Sequence, residues 1–213
     1  LENIPKDGKF LIVSNHPMGA ADAIALYHQI YPVRNDLFFF ANELFVYLLG
    51  AFHELLAPVV WNKEKETHSA NKVTLERLSV FFGDDRPGII FPSGRLSKLT
   101  FLGLWDRPWE KTPIALAKKY NFPLIPVYVE GRNSWFFYFA SYVNKQLRDI
   151  SQLNELFNKR EKEMSIKIGK PVNVYTLNDN TDIAIGQMRY KSESLRKKSV
   201  LKLNRFLYLR NFK

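Results

Sequence analysis

The 213-residue sequence contains no cysteine. A disulfide framework, a thiolate nucleophile and a cysteine-ligated zinc site are therefore excluded. The absence of cysteine says little about the compartment, although nothing in the chain requires an oxidising one. Any chemistry that this protein performs must come from other side chains.

The sequence also lacks a long uninterrupted hydrophobic run. Its most apolar region, residues 37–60, is broken by Asn42, Glu43, His53 and Glu54, whereas a membrane span needs about 20 clean residues. No stretch is therefore predicted to cross a bilayer. Internal repeats and low-complexity tracts are also missing, and the length fits one domain.

Acidic residues are few beside basic ones: 21 Asp and Glu stand against 31 Lys and Arg, a formal net charge of +10. This balance predicts an anionic partner, which is nucleic acid, an anionic membrane surface or an acidic substrate. Aromatic residues are plentiful at 15%. They indicate either a thick core or a surface that meets something apolar.

Short apolar runs alternate with helical patterns along the chain. Residues 10–14, 37–41, 58–61, 88–92 and 123–129 predict strands, and residues 20–30, 42–56, 69–82 and 112–120 predict helices. This alternation predicts a single α/β domain with a mostly parallel central sheet flanked by helices. Pro126 predicts an edge position or a bulge for its strand, and residues 96–109 are predicted to be irregular.

The end of the chain is strongly basic. We divide the sequence into a domain over residues 1–181 and a basic amphipathic helical tail over residues 182–213. One hypothesis places this tail on an anionic leaflet. The alternative is a solvated helix whose apolar side packs onto the domain.

A histidine and an acid share the turn that follows the first predicted strand. His16 and Asp22 lie six positions apart, with Met18 as the bulky side chain between them. The spacing lets the carboxylate fold back onto the imidazole, which fixes the tautomer and raises the basicity of the other ring nitrogen. The pair would then be a general base. The alternative is that Asp22 caps the following helix and His16 is a satisfied turn residue.

A second turn, Phe91-Pro92-Ser93-Gly94-Arg95-Leu96-Ser97, follows another predicted strand. Backbone N–H groups in such a turn are able to bind an oxyanion or phosphate, and Arg95 adds a bidentate contact. The alternative is a strand-ending turn with a surface arginine. Ligands of parallel sheets gather beyond the carboxyl ends of the strands, so this turn and the His16 turn are expected to converge.

A third turn, Gly131-Arg132-Asn133-Ser134, is either an anion-binding turn or a polar loop. A run of aromatic residues follows it: Trp135, Phe136, Phe137, Tyr138, Phe139 and Tyr142. Core packing explains part of this run, and an interfacial belt at a membrane headgroup boundary explains the remainder. Five apolar residues of the preceding stretch are candidates for an acyl groove or for dipping into the bilayer: Leu99, Phe101, Leu102, Leu104 and Trp105.

Taken together, these three stretches resemble the motifs of the glycerolipid acyltransferase superfamily, of the lysophosphatidate acyltransferase type. They are Asn15-His16 with Asp22, then Phe91 to Ser97, then Ile125-Pro126-Val127 to Gly131. The extension from Gly131 to Tyr138 is most similar to the hemolysin-like branch, which includes ornithine- and glycine-lipid acyltransferases. The resemblance runs from about Lys9 to Tyr142.

The resemblance implies catalytic roles for His16 and Asp22. The histidine would take the proton of an acceptor hydroxyl or amine, and the aspartate would orient the imidazole. The acceptor would attack the thioester of an acyl-carrier protein or coenzyme A without an acyl-enzyme. Substrate-binding residues are expected at Asn15, Ser93, Gly94, Arg95, Ser97, Arg132 and Asn133, with the Ser93-Gly94 turn supplying oxyanion donors. No metal and no cofactor beyond the acyl thioester co-substrate is expected.

The motifs depart from the usual family pattern in three ways. Five residues separate His16 from Asp22, as in the hemolysin-like branch, where four are common. Ser93 replaces a glutamate, and Leu96 stands where an arginine associated with the acceptor's phosphate would be. A lysophosphatidate-like acceptor is therefore disfavoured, and a zwitterionic or amino-acid lipid is favoured.

Three functions follow from the sequence. The first is a peripheral acyltransferase at the cytoplasmic face of a membrane, acting on a lysolipid or amino-acid lipid at an anionic surface. The second is a degenerate family member that binds lipid without chemistry. Nucleic-acid binding through the basic tail is the third; it is disfavoured because the aromatic residues lie away from the basic cluster and no known motif accompanies them.

Overall fold

The computed structural model describes residues 1–42, 54–59, 68–101, 103–159 and 164–196. Its strands are β1 Leu11–Ser14, β2 Phe38–Asn42, β3 Leu56–Val59, β4 Gly88–Ile90, β5 Lys98–Thr100, β6 Gly103–Trp105, β7 Leu124–Glu130 and β8 Ser165–Ile168. Its helices are α1 Ala20–Ile30, α2 His68–Gly83, α3 Thr112–Tyr120, α4 Trp135–Val143, α5 Lys145–Asn158 and α6 Thr181–Glu193, with a short 3₁₀ turn at Val174–Thr176.

Six of these strands form the central sheet, in the order β3-β2-β4-β1-β7-β8. All neighbours are parallel except β8, which runs antiparallel to β7. The predicted single α/β domain with a mostly parallel sheet is therefore confirmed. β1 lies between β4 and β7, so its carboxyl end is near the middle of the sheet.

Strand β1 shows why the continuous apolar runs form buried strands. Its alternate residues enter two different core layers, Leu11 and Val13 on one face and Ile12 on the other. Helices α2, α3 and α6 cover the first face, and α1 covers the second. Because both faces are covered, every residue of the strand is apolar or small, as expected for parallel sheets.

The stretch predicted to be irregular contains a hairpin. Strands β5 and β6 pair antiparallel, with Lys98 opposite Trp105 and Thr100 opposite Gly103. The prediction was wrong because neither three-residue strand is long enough to show an alternating pattern. The hairpin lies outside the central sheet.

Pro126 does not lie on an edge strand, because β7 is inside the sheet. Its carbonyl accepts a hydrogen bond from the Gly169 N–H at 2.8 Å, so its nitrogen faces the side where pairing with β8 ends. Beyond the pair Val127–Ile168, residues 169–171 lie opposite residues 125–126, up to the isolated bridge Leu124–Val172. The extra residue is a bulge. The bulge alternative is confirmed and the edge alternative is wrong.

The predicted tail begins with a helix that belongs to the core. Ala184, Ile185 and Met188 of α6 are buried in the same layer as α2 and α3, which agrees with the hypothesis of a helix packed by its apolar side. Residues 197–213, with most of the basic residues of the tail, lie outside the described residues. The division at residue 182 stays a prediction.

Residues 43–53 and 60–67 also lie outside the described residues. They include most of the helix predicted over residues 42–56 and the end of the strand predicted over residues 58–61. No helix in the described part of the chain is long and apolar enough to cross a membrane.

Candidate active site

His16 and Asp22 meet at the carboxyl end of β1. Nδ1 of His16 lies 3.0 Å from Oδ2 of Asp22, whose side chain is fully buried. The same oxygen accepts the backbone N–H groups of Met18 at 2.9 Å and Gly19 at 3.0 Å. Asp22 therefore caps α1 and faces the histidine at once, so the two alternatives for its role are compatible.

The angle at Nδ1 is not that of an aligned hydrogen bond. Among the described residues, Nδ1 of His16 and Oδ1 of Asp22 are both buried without a satisfied hydrogen bond. The imidazole instead stacks on the ring of Phe91, with centroids 4.1 Å apart. Catalytic hydrogen bonds are often poorly aligned in a site without substrate, and a catalytic role is one explanation for a buried polar atom that has no partner.

Asn15 joins the His16 turn to β7. Its amide nitrogen donates to the carbonyl of Val129 at 2.9 Å, and its amide oxygen accepts the Val129 N–H at 2.7 Å. The side chain thus continues the pairing of β1 with β7 past Ser14. Because both ends of the amide are already used, Asn15 positions the turn, and its predicted contact with substrate stays a prediction.

The second turn converges on the first, as predicted. The Ser97 N–H donates to the carbonyl of His16 at 2.8 Å. Leu96, which stands where the family arginine would be, packs against the start of α1: a Cβ on Gly19 would lie 3.2 Å from Leu96 Cδ2. Gly19 also has φ +82°, which favours glycine. Leu96 is therefore part of the scaffold.

Asp106 holds Ser97 through a hydrogen bond between their side chains. Its carboxylate accepts the Ser97 hydroxyl at 2.9 Å and the Trp109 indole N–H at 2.7 Å. Burial raises the pKa of this carboxyl, and the two hydrogen bonds and the charges of Arg189 and His16 only partly oppose that effect. A buried acid with fixed partners thus supports the loop that supports His16.

The Ser93-Gly94 part of the second turn is closed on itself. The Ser93 hydroxyl donates to the carbonyl of Arg95, and the Gly94 N–H donates to the carbonyl of Phe91, each at 2.9 Å. The Gly94 N–H is therefore not available to an oxyanion in this structure. Arg95 is exposed.

The third turn is held from helix α5. Its Ser134 backbone N–H donates to Glu155 at 2.9 Å, and the Ser134 hydroxyl donates to the same carboxylate. Lys159 lies 2.8 Å from both Glu155 and the amide oxygen of Asn133. Asn133 is buried, so it belongs to this network, whereas Arg132 is exposed.

An ion pair sets the protonation of the carboxylate in this network. Burial works to raise the pKa of Glu155, but the hydrogen bonds from Lys159 and Ser134 together lower it below its ordinary value. The two side chains are both almost fully buried. The turn that carries Arg132 is therefore fixed by a buried charged pair.

The first and third turns touch directly. A Cβ on Gly131 would lie 2.4 Å from Sδ of Met18, a distance that no packed pair of atoms adopts. Glycine at this position lets Met18 cover the end of β7. Met18, two residues after His16, is thereby packed against the third turn.

These turns border a cavity of about 390 Å³. Its wall comes from the first turn (Asn15, Pro17), the hairpin region (Ser97, Leu99, Gly103, Leu104, Trp105, Asp106), the end of β7 and the residues after it (Tyr128, Val129, Glu130, Gly131, Arg132), and the end of α6 and the residues after it (Glu193, Arg196). Asn15 and Pro17, the two chain neighbours of His16, both line the cavity. Of the expected apolar residues, Leu99, Leu104 and Trp105 line the cavity, Phe101 is exposed, and Leu102 lies outside the described residues.

Sequence reasoning missed Asp106, Tyr128, Glu193 and Arg196 in this wall. Asp106 carried a usable signal, since it is an isolated acid between two tryptophans. Glu193 and Arg196 carried no such signal, because a basic helical pattern does not indicate which of its residues contact the rest of the domain. Six expected site residues do not line the cavity: His16, Asp22, Ser93, Gly94, Arg95 and Asn133.

A mostly parallel sheet with a His–Asp pair beside a cavity at its carboxyl edge fits the acyltransferases that the sequence motifs resemble. The sequence model of the family described as Acyltransferase matches residues 1–207. The chain belongs to this family, and the resemblance found in the motifs is confirmed.

Two curated relatives are similar to most of this chain. The lyso-glycine lipid O-acyltransferases of Phocaeicola vulgatus and Bacteroides thetaiotaomicron are each 32% identical over 179 residues, which is 81% of this chain. The match spans 62% and 64% of those two proteins, so the chain spans less than two thirds of their length.

One solved structure is similar in fold. It is the 1-acyl-sn-glycerophosphate acyltransferase PlsC of Thermotoga maritima, with a TM-score of 0.53 and 18% identity. The similarity covers 92% of this chain and 68% of that one.

Proposed function

We propose that this protein transfers a long-chain acyl group from a thioester to the hydroxyl of a lysolipid, with His16 as the general base. The 3.0 Å contact of His16 with the buried Asp22, beside the cavity, carries this proposal. The acceptor class follows from the two relatives, which are named for acylating a lyso-glycine lipid. It also follows from Leu96, which occupies the position of the arginine associated with an acceptor phosphate.

The reaction has two steps. His16 removes the proton of the acceptor hydroxyl as the hydroxyl oxygen attacks the thioester carbonyl carbon, and a tetrahedral oxyanion forms. The carbon–sulfur bond then breaks, the carbonyl reforms as an ester, and the thiolate takes the proton from His16. Asp22 stabilises the imidazolium between the steps and keeps Nδ1 protonated. No side chain is acylated.

The donor is the thioester of an acyl-carrier protein or of coenzyme A. The oxyanion needs N–H donors while the tetrahedral intermediate exists. In the described part of the chain, the backbone N–H groups of Ser93 and Arg95 donate to no protein group. They are the donors we assign to the oxyanion, since the Gly94 N–H is already used.

Helix α4 is the surface that we place on the membrane, at the cytoplasmic face. Phe137 is buried in the protein, while Trp135, Phe136, Phe139 and Tyr142 are 65–93% exposed. Large aromatic side chains on one exposed helix suit a headgroup boundary. The exposed guanidinium of Arg132 lies over the ring of Trp135, with 5.6 Å to the centroid, which adds a cation for anionic lipids.

Flotation with anionic phospholipid vesicles tests this placement. The double variant Trp135→Ser/Phe139→Ser is expected to float much less than the wild-type protein. Tyr175→Ser is the matched control, because Tyr175 is 63% exposed and lies outside α4. Equal flotation of all three proteins would overturn the assignment of α4.

The function itself is tested with the wild-type protein, acyl-carrier-protein and coenzyme A thioesters, and lysolipid acceptors. The panel contains a lyso-glycine lipid, a lyso-ornithine lipid and lysophosphatidate, and products are identified by mass. We expect ester formation with the amino-acid lipids. Lipid binding without any product would instead indicate a catalytically silent member of the family.

A further inference from the structure

The cavity beside His16 is lined by charged groups of both signs. Asp106, Glu130 and Glu193 are the acids, and Arg132 and Arg196 are the bases. The acids and the bases differ in whether the protein itself supplies their partners.

Each of the three acids already has a partner. Asp106 accepts the Ser97 hydroxyl and the Trp109 indole N–H. Glu193 lies 2.9 Å from Nε of Arg189, and Glu130 lies 3.7 Å from Nζ of Lys167. None of these acids therefore needs a cationic ligand.

The two arginines are not matched in this way. In the described part of the chain, neither Arg132 nor Arg196 forms an ion pair or a side-chain hydrogen bond, and Arg132 has only its cation–π contact with Trp135. Glu193 feels the charge of Arg196, but this carboxylate is already paired with Arg189. A guanidinium on a cavity wall whose neighbouring acid is already paired favours an anionic ligand, because it offers a planar fork of donors that fits carboxylate and phosphate.

Arg196 lines the cavity three residues beyond the end of α6. Glu193, three residues before it, is tied through Arg189 to the carbonyl of Asp106 at 2.8 Å. Arg189 also lies over the ring of Trp105, 5.4 Å from its centroid. The end of α6 is thereby fixed against the hairpin region that carries Ser97, which in turn contacts His16. The backbone N–H of Arg196 donates to the carbonyl of Glu193 at 3.1 Å, so Arg196 is held next to this fixed helix end.

We propose that Arg196, with Arg132, forms the subsite for the anionic headgroup of the acyl acceptor. This inference rests on the proposed function and deepens it. The acceptor's anion lies on the α6 side of the cavity, its chain runs along Leu99, Leu104 and Trp105, and its hydroxyl reaches the side bounded by Asn15 and Pro17, next to His16. The shared chemistry is a carboxylate or a phosphate monoester.

Direct binding tests this subsite without requiring turnover. Calorimetric titration compares three amphiphiles with the same chain: N-dodecanoylglycine, its neutral amide N-dodecanoylglycinamide, and dodecyl phosphate. The wild-type protein is expected to bind at least one of the two anions about tenfold or more tightly than the amide. A tighter carboxylate identifies an amino-acid lipid as the source of the anion, and a tighter phosphate identifies a phospholipid.

The variants are Arg196→Gln and, as the matched control, Lys191→Gln. Lys191 lies on α6, is exposed and does not line the cavity, so both variants lose one positive charge from positions only five residues apart in the chain. Arg196→Gln is expected to abolish the preference for the anion over the amide, and Lys191→Gln is expected to keep it. Arg196→Lys, which keeps the charge and loses the fork, is expected to keep part of the preference.

Three results would overturn the subsite. They are equal binding of anion and amide by the wild-type protein, an unchanged preference in Arg196→Gln, and an equal loss of preference in Lys191→Gln. Thermal unfolding of each variant shows that it is folded. Anion binding that depends on Arg196, in a protein that forms no ester, would reject the proposed reaction and keep the subsite.

Discussion

The turn after β1 and the turn after β7 lie side by side at the carboxyl edge of the sheet, yet they are held in different ways. The first is fixed by Asp22, which accepts N–H groups three and four positions earlier in the chain. The turn after β7 is fixed by Glu155, 21 positions beyond Ser134, and by Lys159, 26 positions beyond Asn133. A buried carboxylate holds each turn, but this carboxylate is local in the sequence in one case and distant in the other.

This difference determines which of them can be interpreted from sequence. Asp22, the carboxylate that holds the turn after β1, lies six positions after His16 in the sequence, so one short stretch contains both residues. Glu155, the carboxylate that holds the turn after β7, lies on a helix whose sequence does not mark it as a partner of that turn. The two turns also depend on each other, because Asn15 bonds to Val129 and Met18 covers Gly131.

The largest expected effect on stability comes from Lys159→Met. This change leaves the buried Glu155 without its cation, so the free energy of unfolding should fall by about 3 to 5 kcal/mol, measured by urea denaturation. The double variant Glu155→Gln/Lys159→Met removes both charges and should lose less than Lys159→Met alone. The role of the pair would be contradicted if the double variant lost as much unfolding free energy as Lys159→Met and Glu155→Gln lose separately, added together.

Asn15→Ala should have the next largest effect. It leaves the N–H and the carbonyl of Val129 without partners at the junction of the two turns, which costs about 2 to 3 kcal/mol of unfolding free energy. Asn154→Ala is the control, since Asn154 is an exposed residue of α5. Equal unfolding free energies of the two variants would show that the hydrogen bonds between Asn15 and Val129 do not contribute to stability.

Asp106→Asn should give the smallest effect, and one that depends on pH. Because burial raises the pKa of Asp106 above 3.8, the folded protein keeps a proton that the unfolded chain has lost. The contribution of Asp106 to stability is therefore full below 3.8 and falls as pH rises through the raised pKa, by at most about 1.4 kcal/mol per pH unit. The variant lacks this slope.

Urea denaturation of both proteins from acid to neutral pH measures the difference. The destabilisation caused by Asp106→Asn should be greatest at low pH and should shrink as pH rises. Asp179→Asn, at an exposed position, should give a flat difference. A destabilisation that grows with pH would mean that Asp106 is charged and stabilising in the folded protein.

The sheet and the first turn could be predicted because their causes are short-range. Apolar runs such as residues 10–14 encode strands buried on both faces, and six positions suffice to bring Asp22 to His16. The hairpin at residues 98–105 was missed because three-residue strands have no usable period. The α6 wall was missed because the meeting of Arg196 with the cavity depends on tertiary packing through Arg189 and Asp106.

The Ser93-Gly94 turn and Asn133 show the opposite difficulty. Small and polar residues after a strand suggest ligand binding, but the Gly94 N–H is used by Phe91 and the Asn133 amide oxygen by Lys159. The same residue types serve a turn that binds a ligand and a turn that holds itself. Sequence patterns do not distinguish these two uses.

The central claim is that His16, oriented by Asp22, removes the acceptor's proton. Its most direct test is the turnover of His16→Ala and Asp22→Asn with an acyl thioester and a lyso-glycine lipid, beside the exposed-histidine control His28→Ala. We expect His16→Ala to lose about 100-fold to 10,000-fold in kcat with folding retained, Asp22→Asn to lose activity as well, and His28→Ala to keep it. Wild-type turnover in a folded His16→Ala protein would contradict the account.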